Sequence, residues 1–174
     1  WAVQGWVLCR DEGGLGRMGG EFEAWDLKVS ARQVDVTDEE SVKNGVEAVA
    51  KAAVRLDIMV NCAGIIGPNN HRITEVEMVD YDATLAVNLR GSYLMTKYAL
   101  VEMEKRDYGR VLLIASIAGK EGKERRSPYS ISEAGEKGLG VQVGQEYAEH
   151  GRPGDARERA AVSTAHSIHW PIGR

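Results

Sequence analysis

The sequence predicts an α/β protein in which a parallel sheet carries helices on both faces. Short apolar runs alternate along the chain with helical patterns, which is the order of βαβ units with right-handed crossovers. The run "RVLLIAS" (110–116) is continuously apolar, as in strands that are buried on both faces. Several of these runs also turn polar or small at their ends, where a parallel sheet binds its ligands.

The first half of the chain predicts two strands and one strong helix. The first strand is "WVLCRD" (6–11), a weak glycine-rich helix or loop follows at 13–25, and the second strand is "ARQVDVTD" (31–38). A capping box of Thr37 and Glu40 predicts where the next helix begins. One face of this helix is apolar, and it consists of Val42, Val46, Val49, Ala50 and Ala53.

The second half continues the alternation. The third strand is "LDIMVNCAG" (56–64), and a long helix is predicted from about Val79 to Lys105. The fourth strand at 110–116 is followed by a polar loop and a helix at 128–149. We therefore expect one domain over residues 1–150, with a single core, and an irregular tail over 151–174.

Composition excludes several classes of protein. The chain has 174 residues and a formal net charge of −4, so we expect no nucleic-acid partner. No apolar run approaches the ~20 residues of a membrane helix, and the first residues do not resemble a secretory signal. The two cysteines, Cys9 and Cys62, are interpreted as reduced thiols of a cytoplasmic protein. The histidines form no cluster with metal-ligand spacing, so we expect no metal site.

A set of motifs now stands out, in a fixed order along the chain. They are "DVTD" (35–38), "VNCAG" (60–64), "VNLRGSYLMTK" (87–97), "GRVLLIASIAG" (109–119) and "YSIS" (129–132). In this order and at this spacing the chain resembles the short-chain dehydrogenases/reductases over roughly residues 3 to 150. The resemblance implies a Rossmann-like, doubly wound sheet and hydride transfer between nicotinamide and a carbonyl or secondary alcohol. In broad terms, the motifs look like those of the sugar-alcohol dehydrogenase and 3-oxoacyl reductase branches of the family.

The resemblance also implies catalytic roles. Tyr129 matches the general acid that protonates the carbonyl oxygen, and Ser116, thirteen residues earlier, matches the serine that binds the same oxygen. Asn88 matches the asparagine that holds a water in a proton relay. Taken singly, each position also fits a structural role: a loop serine for Ser116, and a helix residue bonded to backbone for Asn88.

Further positions match the family's cofactor site. The resemblance places Asn61, Ala63 and Gly64 beneath the adenosine ribose, and it places Asp35 and Val36 beside the adenine ring. Tyr129 would also contact the bound cofactor. As structural alternatives, Asn61 with Gly64 forms a turn at the end of a strand, and Asp35 with Thr37 caps a helix.

The chain departs from the family at its start. The family opens with a strand and a glycine-rich turn that binds the pyrophosphate, and "GGLGRMGG" (13–20) fails that spacing and follows the family's second strand. We therefore expect the fold to be incomplete at this end and cofactor binding to be weakened. Arg10, at the end of the first predicted strand, favours NADP, and the neighbouring Asp11 keeps NAD open.

A second departure is Glu133, which stands where the family has a lysine. On a helix it shares a face with Tyr129, and its carboxylate is expected to raise the tyrosine pKa rather than lower it. A carboxylate can still accept hydrogen bonds from ribose hydroxyls. Alternatively, Glu133 forms an i, i+4 ion pair with Lys137 on the helix surface.

The third departure lies downstream, where "EKGLG" (136–140) replaces small or apolar residues and the substrate-covering region is not recognisable. A truncation or a change of reading frame would explain this loss of pattern. Two functions stay open: an NAD(P)(H)-dependent oxidoreductase acting on a small carbonyl or alcohol, and a catalytically impaired binding or oligomerisation module of the same fold. The cationic loop at 119–128 either favours an anionic substrate or is a solvated surface, and a homo-oligomer stays open as well.

Overall fold

The computed structural model describes residues 4–11, 13–15, 22 and 29–148, and the backbone of 161–164. The elements are β1 (Gly5–Cys9), β2 (Val29–Gln33), α1 (Glu39–Ala53), β3 (Ile58–Asn61), α2 (Met78–Leu85), α3 (Gly91–Glu104), β4 (Arg110–Leu113), α4 (Ala118–Glu121), α5 (Ser127–Ala148) and β5 (Ala161–Thr164). A short 3-10 turn, Ile73–Glu75, precedes α2. Most of the glycine-rich segment predicted at 13–25 lies outside the described residues.

The described strands form two parallel sheets, which confirms the predicted α/β class. β1 pairs with β2, while β3, β4 and β5 form a second sheet in the order β3-β4-β5. Both sheets contribute to one core: Leu8 of β1 and Val34 after β2 pack in the same apolar cluster as Met59 of β3 and Leu113 of β4. The cluster is completed by residues of α1, α3 and α5.

The strands are shorter than the sequence predicts, and at β2 a side chain accounts for the end. β2 ends at Gln33 rather than at Asp38, since the Asp35 carboxylate accepts hydrogen bonds from the backbone N–H and the hydroxyl of Thr37 at 2.9 and 2.7 Å and turns the chain. Asp38, not Thr37, caps α1, because its carboxylate accepts a hydrogen bond from Glu40 N at 3.0 Å. The predicted Thr37–Glu40 capping box is therefore wrong, although the helix itself is confirmed.

The long helix predicted at 79–105 is present but has an interruption. α2 and α3 are joined by a π turn over Ala86–Arg90, in which Asn88 is buried. One inserted residue of this kind often marks a functional position in a helix. The hydrophobic pattern of the sequence does not reveal the π turn, because the apolar residues of α3 still fall on its buried side.

The tail also differs from the prediction. Ala161–Thr164 forms β5, a parallel partner of β4, where the sequence predicted irregular structure. Four residues are too few to show a periodic pattern, so the pairing with β4 defines this strand. The rest of 151–174 lies outside the described residues.

One prediction about single residues is confirmed. Cys9 and Cys62 are both free thiols. One face of β3 is buried through Met59 and Asn61, while Ile58 and Val60 on the other face keep 60% and 54% of their surface exposed. A search of the described helices finds none that could cross a lipid bilayer.

Candidate active site

The candidate site lies at the carboxyl ends of β3 and β4. Asn61 ends β3, and Ser116 follows three residues after the end of β4. The π turn and the first turns of α5 face this edge and supply Asn88, Tyr129 and Glu133. Most of the residues predicted for catalysis and for the ribose therefore come from elements that meet at this one edge of the sheet.

Asn88 connects three of these elements through its side chain. Its Oδ1 accepts a hydrogen bond from Ile65 N at 2.8 Å, and its Nδ2 donates to Ile65 O at 2.9 Å. Nδ2 also donates to Ser132 Oγ at 3.0 Å. With only 2% of its surface exposed, Asn88 holds the loop after β3 against α5. Ala63 and Gly64 belong to this loop.

Tyr129 is the third residue of α5 and is half-buried. Its carbonyl oxygen accepts a hydrogen bond from Ser132 Oγ at 2.8 Å. A continuous chain of hydrogen bonds thus runs from Ile65 through Asn88 and Ser132 to the backbone of Tyr129. This chain fixes where Tyr129 stands relative to the loop.

Ser116 and Glu133 are joined directly. The backbone N–H of Ser116 donates a hydrogen bond to Oε2 of Glu133, whose surface is only 5% exposed. Ser116 Oγ accepts a hydrogen bond from Ala118 N at 3.2 Å. The close approach needs a glycine, because a Cβ on Gly119 would lie 2.5 Å from the backbone of Glu133 and Ala134.

This geometry overturns the alternative in which Glu133 is a surface residue paired with Lys137. The Glu133 carboxyl group is buried against the segment after β4, and no ion pair joins it to Lys137 among residues 29–148. A carboxylate accepts hydrogen bonds and therefore satisfies an N–H at this position, which a lysine cannot do.

A second buried acid, Glu136, lies next to this group. Its Oε1 is 2.8 Å from Ser92 Oγ and 3.4 Å from Asn61 Nδ2, and Asn61 Nδ2 also donates to Ser92 Oγ at 2.7 Å. Burial raises the pKa of Glu136 to about 7, and the charge of Glu133 acts in the same direction. The hydrogen bonds from Ser92 and Asn61 oppose the shift.

The remaining predicted residues, Arg10, Asp35 and Val36, form a separate group after β1 and β2. Hydrogen bonds from Thr37 hold the pKa of Asp35 below its ordinary value, and the charge of Arg10 contributes in the same direction. No hydrogen bond joins this group to Ser116 or Tyr129 in the described part of the chain. The turn after β2 is linked to the π turn that holds Asn88, because Arg90 of the π turn donates a hydrogen bond to Thr37 O at 2.7 Å.

Three residues of the network were not among the predicted site residues. Ser132 stands three positions after Tyr129, Ser92 four after Asn88 and Glu136 three after Glu133. These spacings put each on the helical face of a predicted site residue, which is the signal the sequence offered. The buried state of Glu136 was not foreseeable from spacing alone.

Comparison with known proteins identifies the family. A family model described as short chain dehydrogenase matches residues 6–152. An uncharacterized oxidoreductase of Thermotoga maritima is 38% identical over 136 residues, 77% of this chain and 49% of that protein. The 2-dehydro-3-deoxy-L-rhamnonate dehydrogenase (NAD(+)) of a Sphingomonas species is 31% identical over 146 residues, 76% of this chain and 58% of that protein.

Solved structures agree. A crystal structure of actinorhodin polyketide ketoreductase with NADPH is 30% identical, with a TM-score of 0.76 over 81% of this chain and 54% of that one. A metagenomic short-chain oxidoreductase in complex with NADP, at 24% identity and a TM-score of 0.82 over 94% of this chain and 70% of that one, shares the fold. The chain belongs to the short-chain dehydrogenase/reductase family and has its Rossmann-like fold. It spans about half the length of the relatives it matches, 49% and 58% of the two proteins above.

Proposed function

We propose that the chain carries the site of an NAD(P)(H)-dependent oxidoreductase that transfers hydride between nicotinamide and a carbonyl or secondary alcohol. The observation that carries the proposal is the hydrogen-bonded chain from Ile65 through Asn88 and Ser132 to Tyr129. It joins the loop after β3, which would border the cofactor, to the proposed proton donor. A purely structural turn after β3 would not need a buried asparagine that also reaches α5.

In this proposal Tyr129 gives a proton to the substrate oxygen as hydride arrives, and takes it back in the oxidation. Ser116 binds the same oxygen through its hydroxyl group. Asn88 Oδ1 keeps a lone pair beyond its bond to Ile65, and a relay water can donate to it. These groups come from different elements, which hold them at the same edge of the sheet.

Glu133 lowers the expected activity. The family's lysine stabilises the tyrosinate, while Glu133 brings a carboxylate that is bonded to Ser116 N. This bond favours the second candidate function, a catalytically impaired binding or oligomerisation module of the same fold. The two candidates differ in turnover and not in fold.

The proposed cofactor is NADP, with NAD left open. Arg10 is exposed beside Asp35, where a guanidinium group suits a ribose 2′-phosphate. The similar ketoreductase structure contains NADPH, whereas the Sphingomonas relative is named for NAD(+). Asn61, Ala63 and Gly64 would contact the ribose, and Val36 with the turn at Asp35 would border the adenine. Tyr129 would approach the nicotinamide end.

The substrate would be a small carbonyl compound or alcohol, and the protein would act in the cytoplasm. The segment after Ser116 contacts the loop after β3, since Arg126 Nε donates to Asn69 Oδ1 at 2.7 Å and Arg125 approaches Asn70. Lys120 and Lys123 are exposed on the same segment, which favours an anionic substrate. Homo-oligomer formation is supported by exposed apolar residues on α3 and α5, among them Tyr93, Val101, Ile131 and Val141.

Cofactor binding is the first test. We expect NADPH to quench the tryptophan fluorescence or raise the melting temperature at a lower concentration than NADH does. Arg10→Ala should remove this preference, whereas Arg32→Ala, an exposed arginine on β2, should keep it. If neither cofactor has an effect at millimolar concentration, the chain has no working dinucleotide site.

Turnover is the second step of the same test. Against a panel of carbonyl compounds we expect Glu133→Lys to raise turnover about tenfold or more, since an ammonium group that stabilises the tyrosinate by only about 1.4 kcal/mol already gives that factor. Glu133→Gln, which removes the negative charge and keeps an acceptor for Ser116 N, should give a smaller gain. No gain from Glu133→Lys in a folded, cofactor-binding protein would count against the role of Tyr129.

A further inference from the structure

The carboxyl group of Glu136 takes no part in the reaction proposed above, yet it reaches the turn that holds Asn88. Glu136 is 4% exposed and lies on α5. Its contact with Ser92 Oγ, at 2.8 Å, continues to the main chain of Asn88, because Ser92 Oγ is also 2.5 Å from Asn88 O. Asn61 Nδ2 approaches the same hydroxyl group at 2.7 Å.

Ser92 cannot make all three bonds in every protonation state. A serine hydroxyl group has one proton to donate and two lone pairs that accept. Asn61 Nδ2 can only donate, and the carbonyl of Asn88 can only accept, so the proton of Ser92 goes either to Asn88 O or to Glu136. A neutral Glu136 can donate to Ser92, which leaves the Ser92 proton for Asn88. All three contacts are then satisfied.

An ionised Glu136 changes this arrangement. A carboxylate has no proton to give, and hydrogen bonds to a charged acceptor are stronger than those to a neutral carbonyl. The Ser92 proton therefore turns toward Glu136, and Asn88 O loses the bond. The hydrogen bond that is lost belongs to the π turn, in which the Asn88 side chain connects Ile65 to Ser132.

We propose that neutral Glu136 holds the Ser92 hydroxyl group on the carbonyl of Asn88 and that ionisation of Glu136 releases it, so that Glu136 is a positioning residue for the Asn88 turn. The relevance of this to hydride transfer rests on the proposed function. The exchange of hydrogen bonds itself does not depend on it.

The residues around Glu136 bring its ionisation close to neutral pH. Its pKa is raised to about 7 by burial, and Glu133 on the same helix is the charged neighbour that acts on it. The groups that reach Glu136 from β3 and α3, Asn61 and Ser92, are neutral. On the other elements packed against α5, Arg90 of the π turn is ion-paired with Glu39. The remaining charged residues of these elements are exposed: Lys120 and Glu121 of α4, Asp80 and Asp82 of α2, and Arg110 of β4.

Nuclear magnetic resonance of the isotopically labelled chain tests the proposal without cofactor or substrate. We expect the side-chain ¹³Cδ of Glu136 and the backbone ¹³C′ of Asn88 to change with pH along one common transition near pH 7. In Ser92→Ala, Glu136 should still titrate while the Asn88 signal stays constant. In Glu133→Gln both signals should shift together at a lower pH, because a neighbouring negative charge is gone.

Two results would overturn the proposal. One is an Asn88 signal that stays constant in the wild-type chain while Glu136 titrates. The other is an Asn88 signal that changes with pH in Ser92→Ala as it does in the wild type. If Ser92→Ala fails to fold, the comparison of the two signals in the wild-type chain still decides. Because neither signal needs a bound dinucleotide, failure here is distinguishable from failure of the proposed oxidoreductase function.

Discussion

At the scale of single residues, Glu133 performs a structural task at the position where the family has a lysine. Its carboxyl group satisfies the backbone N–H of Ser116, which lies just beyond the end of β4. The sequence shows that Glu133 and Tyr129 lie on one helical face. It could not show the bond to Ser116, because the direction of that N–H depends on how the segment after β4 packs on α5.

The bond between Glu133 and Ser116 predicts a graded effect on stability. Glu133→Ala should lower the free energy of unfolding by about 1–3 kcal/mol, since it leaves a partly buried N–H without an acceptor. Glu133→Gln keeps an acceptor oxygen and should lose less. Urea unfolding with Glu121→Ala, an exposed acid on α4, as the control measures the difference. A loss for Glu133→Ala no larger than that for Glu121→Ala would show that the carboxyl group contributes nothing through this bond.

At the scale of elements, the glycines of the α4–α5 region fall into two kinds. A Cβ at Gly119 would lie 2.5 Å from the backbone of α5, and one at Gly135 would lie 2.8 Å from Leu89 Cδ2 in the π turn. At Gly138 and Gly144 no atom lies within 4 Å of an added Cβ. The sequence alone does not separate these two kinds of glycine, because close packing of neighbours is a tertiary property.

This difference predicts opposite effects of the same substitution. Gly138→Ala should raise the free energy of unfolding by up to about 1 kcal/mol, because alanine favours the helix and nothing obstructs its methyl group. Gly119→Ala should lower it by about 1–3 kcal/mol, because backbone atoms of α5 would have to move. Thermal or urea unfolding of the two variants beside the wild type measures both. A neutral Gly119→Ala would mean that α4 does not approach α5 as closely as described.

The elements themselves show what sequence patterns determine. The apolar face of α1 is buried at Val42, Val46 and Val49, as its periodicity predicted. Strand ends were less accurate, because they depend on local hydrogen bonds such as those between Asp35 and Thr37. β5 was missed since a four-residue strand has no period to detect, and only its pairing with β4 defines it.

At the scale of the whole molecule, stability should depend on pH through Glu136. Its pKa rises from an ordinary 4.5 to about 7 on folding, so the folded chain binds the proton more tightly. The stabilisation that protonated Glu136 gives to the folded state is fully present below about pH 4.5 and is lost as the pH rises through about 7. The lowered pKa of Asp35 acts oppositely, since its contribution is present above 3.8 and lost as the pH falls below that.

We therefore expect the free energy of unfolding to decrease between pH 5 and pH 7 by at most about 3 kcal/mol, from the size of the shift at Glu136. Glu136→Gln, which cannot ionise, should remove most of this slope, while Glu124→Gln, on an exposed side chain, should leave it unchanged. Urea unfolding at a series of pH values makes the measurement. An identical slope in Glu136→Gln would assign the pH dependence to other groups.

The fold class and the family were predictable at this scale from the order and spacing of the motifs. The division of the described strands into two sheets was not, because the pairing of strands is a tertiary property. Burial of an acid at Glu136 was also beyond prediction. In the sequence, Glu136 is an acid where the family has small or apolar residues, and the structure places it against Asn61 and Ser92.

The π turn over Ala86–Arg90 determines how this part of the chain tolerates the deletion of one residue. It holds one residue more than an α-helical turn, and each residue of a helix advances the rotation about the axis by about 100°. Deleting one residue here would remove the extra residue and let α2 and α3 run on as a regular helix, with Met78–Leu85 and Gly91–Glu104 in nearly their present relative orientation. The same deletion within α2 or α3 would instead rotate the flanking part of the helix by about 100°. A single deletion should therefore be tolerated better in this segment than within either helix.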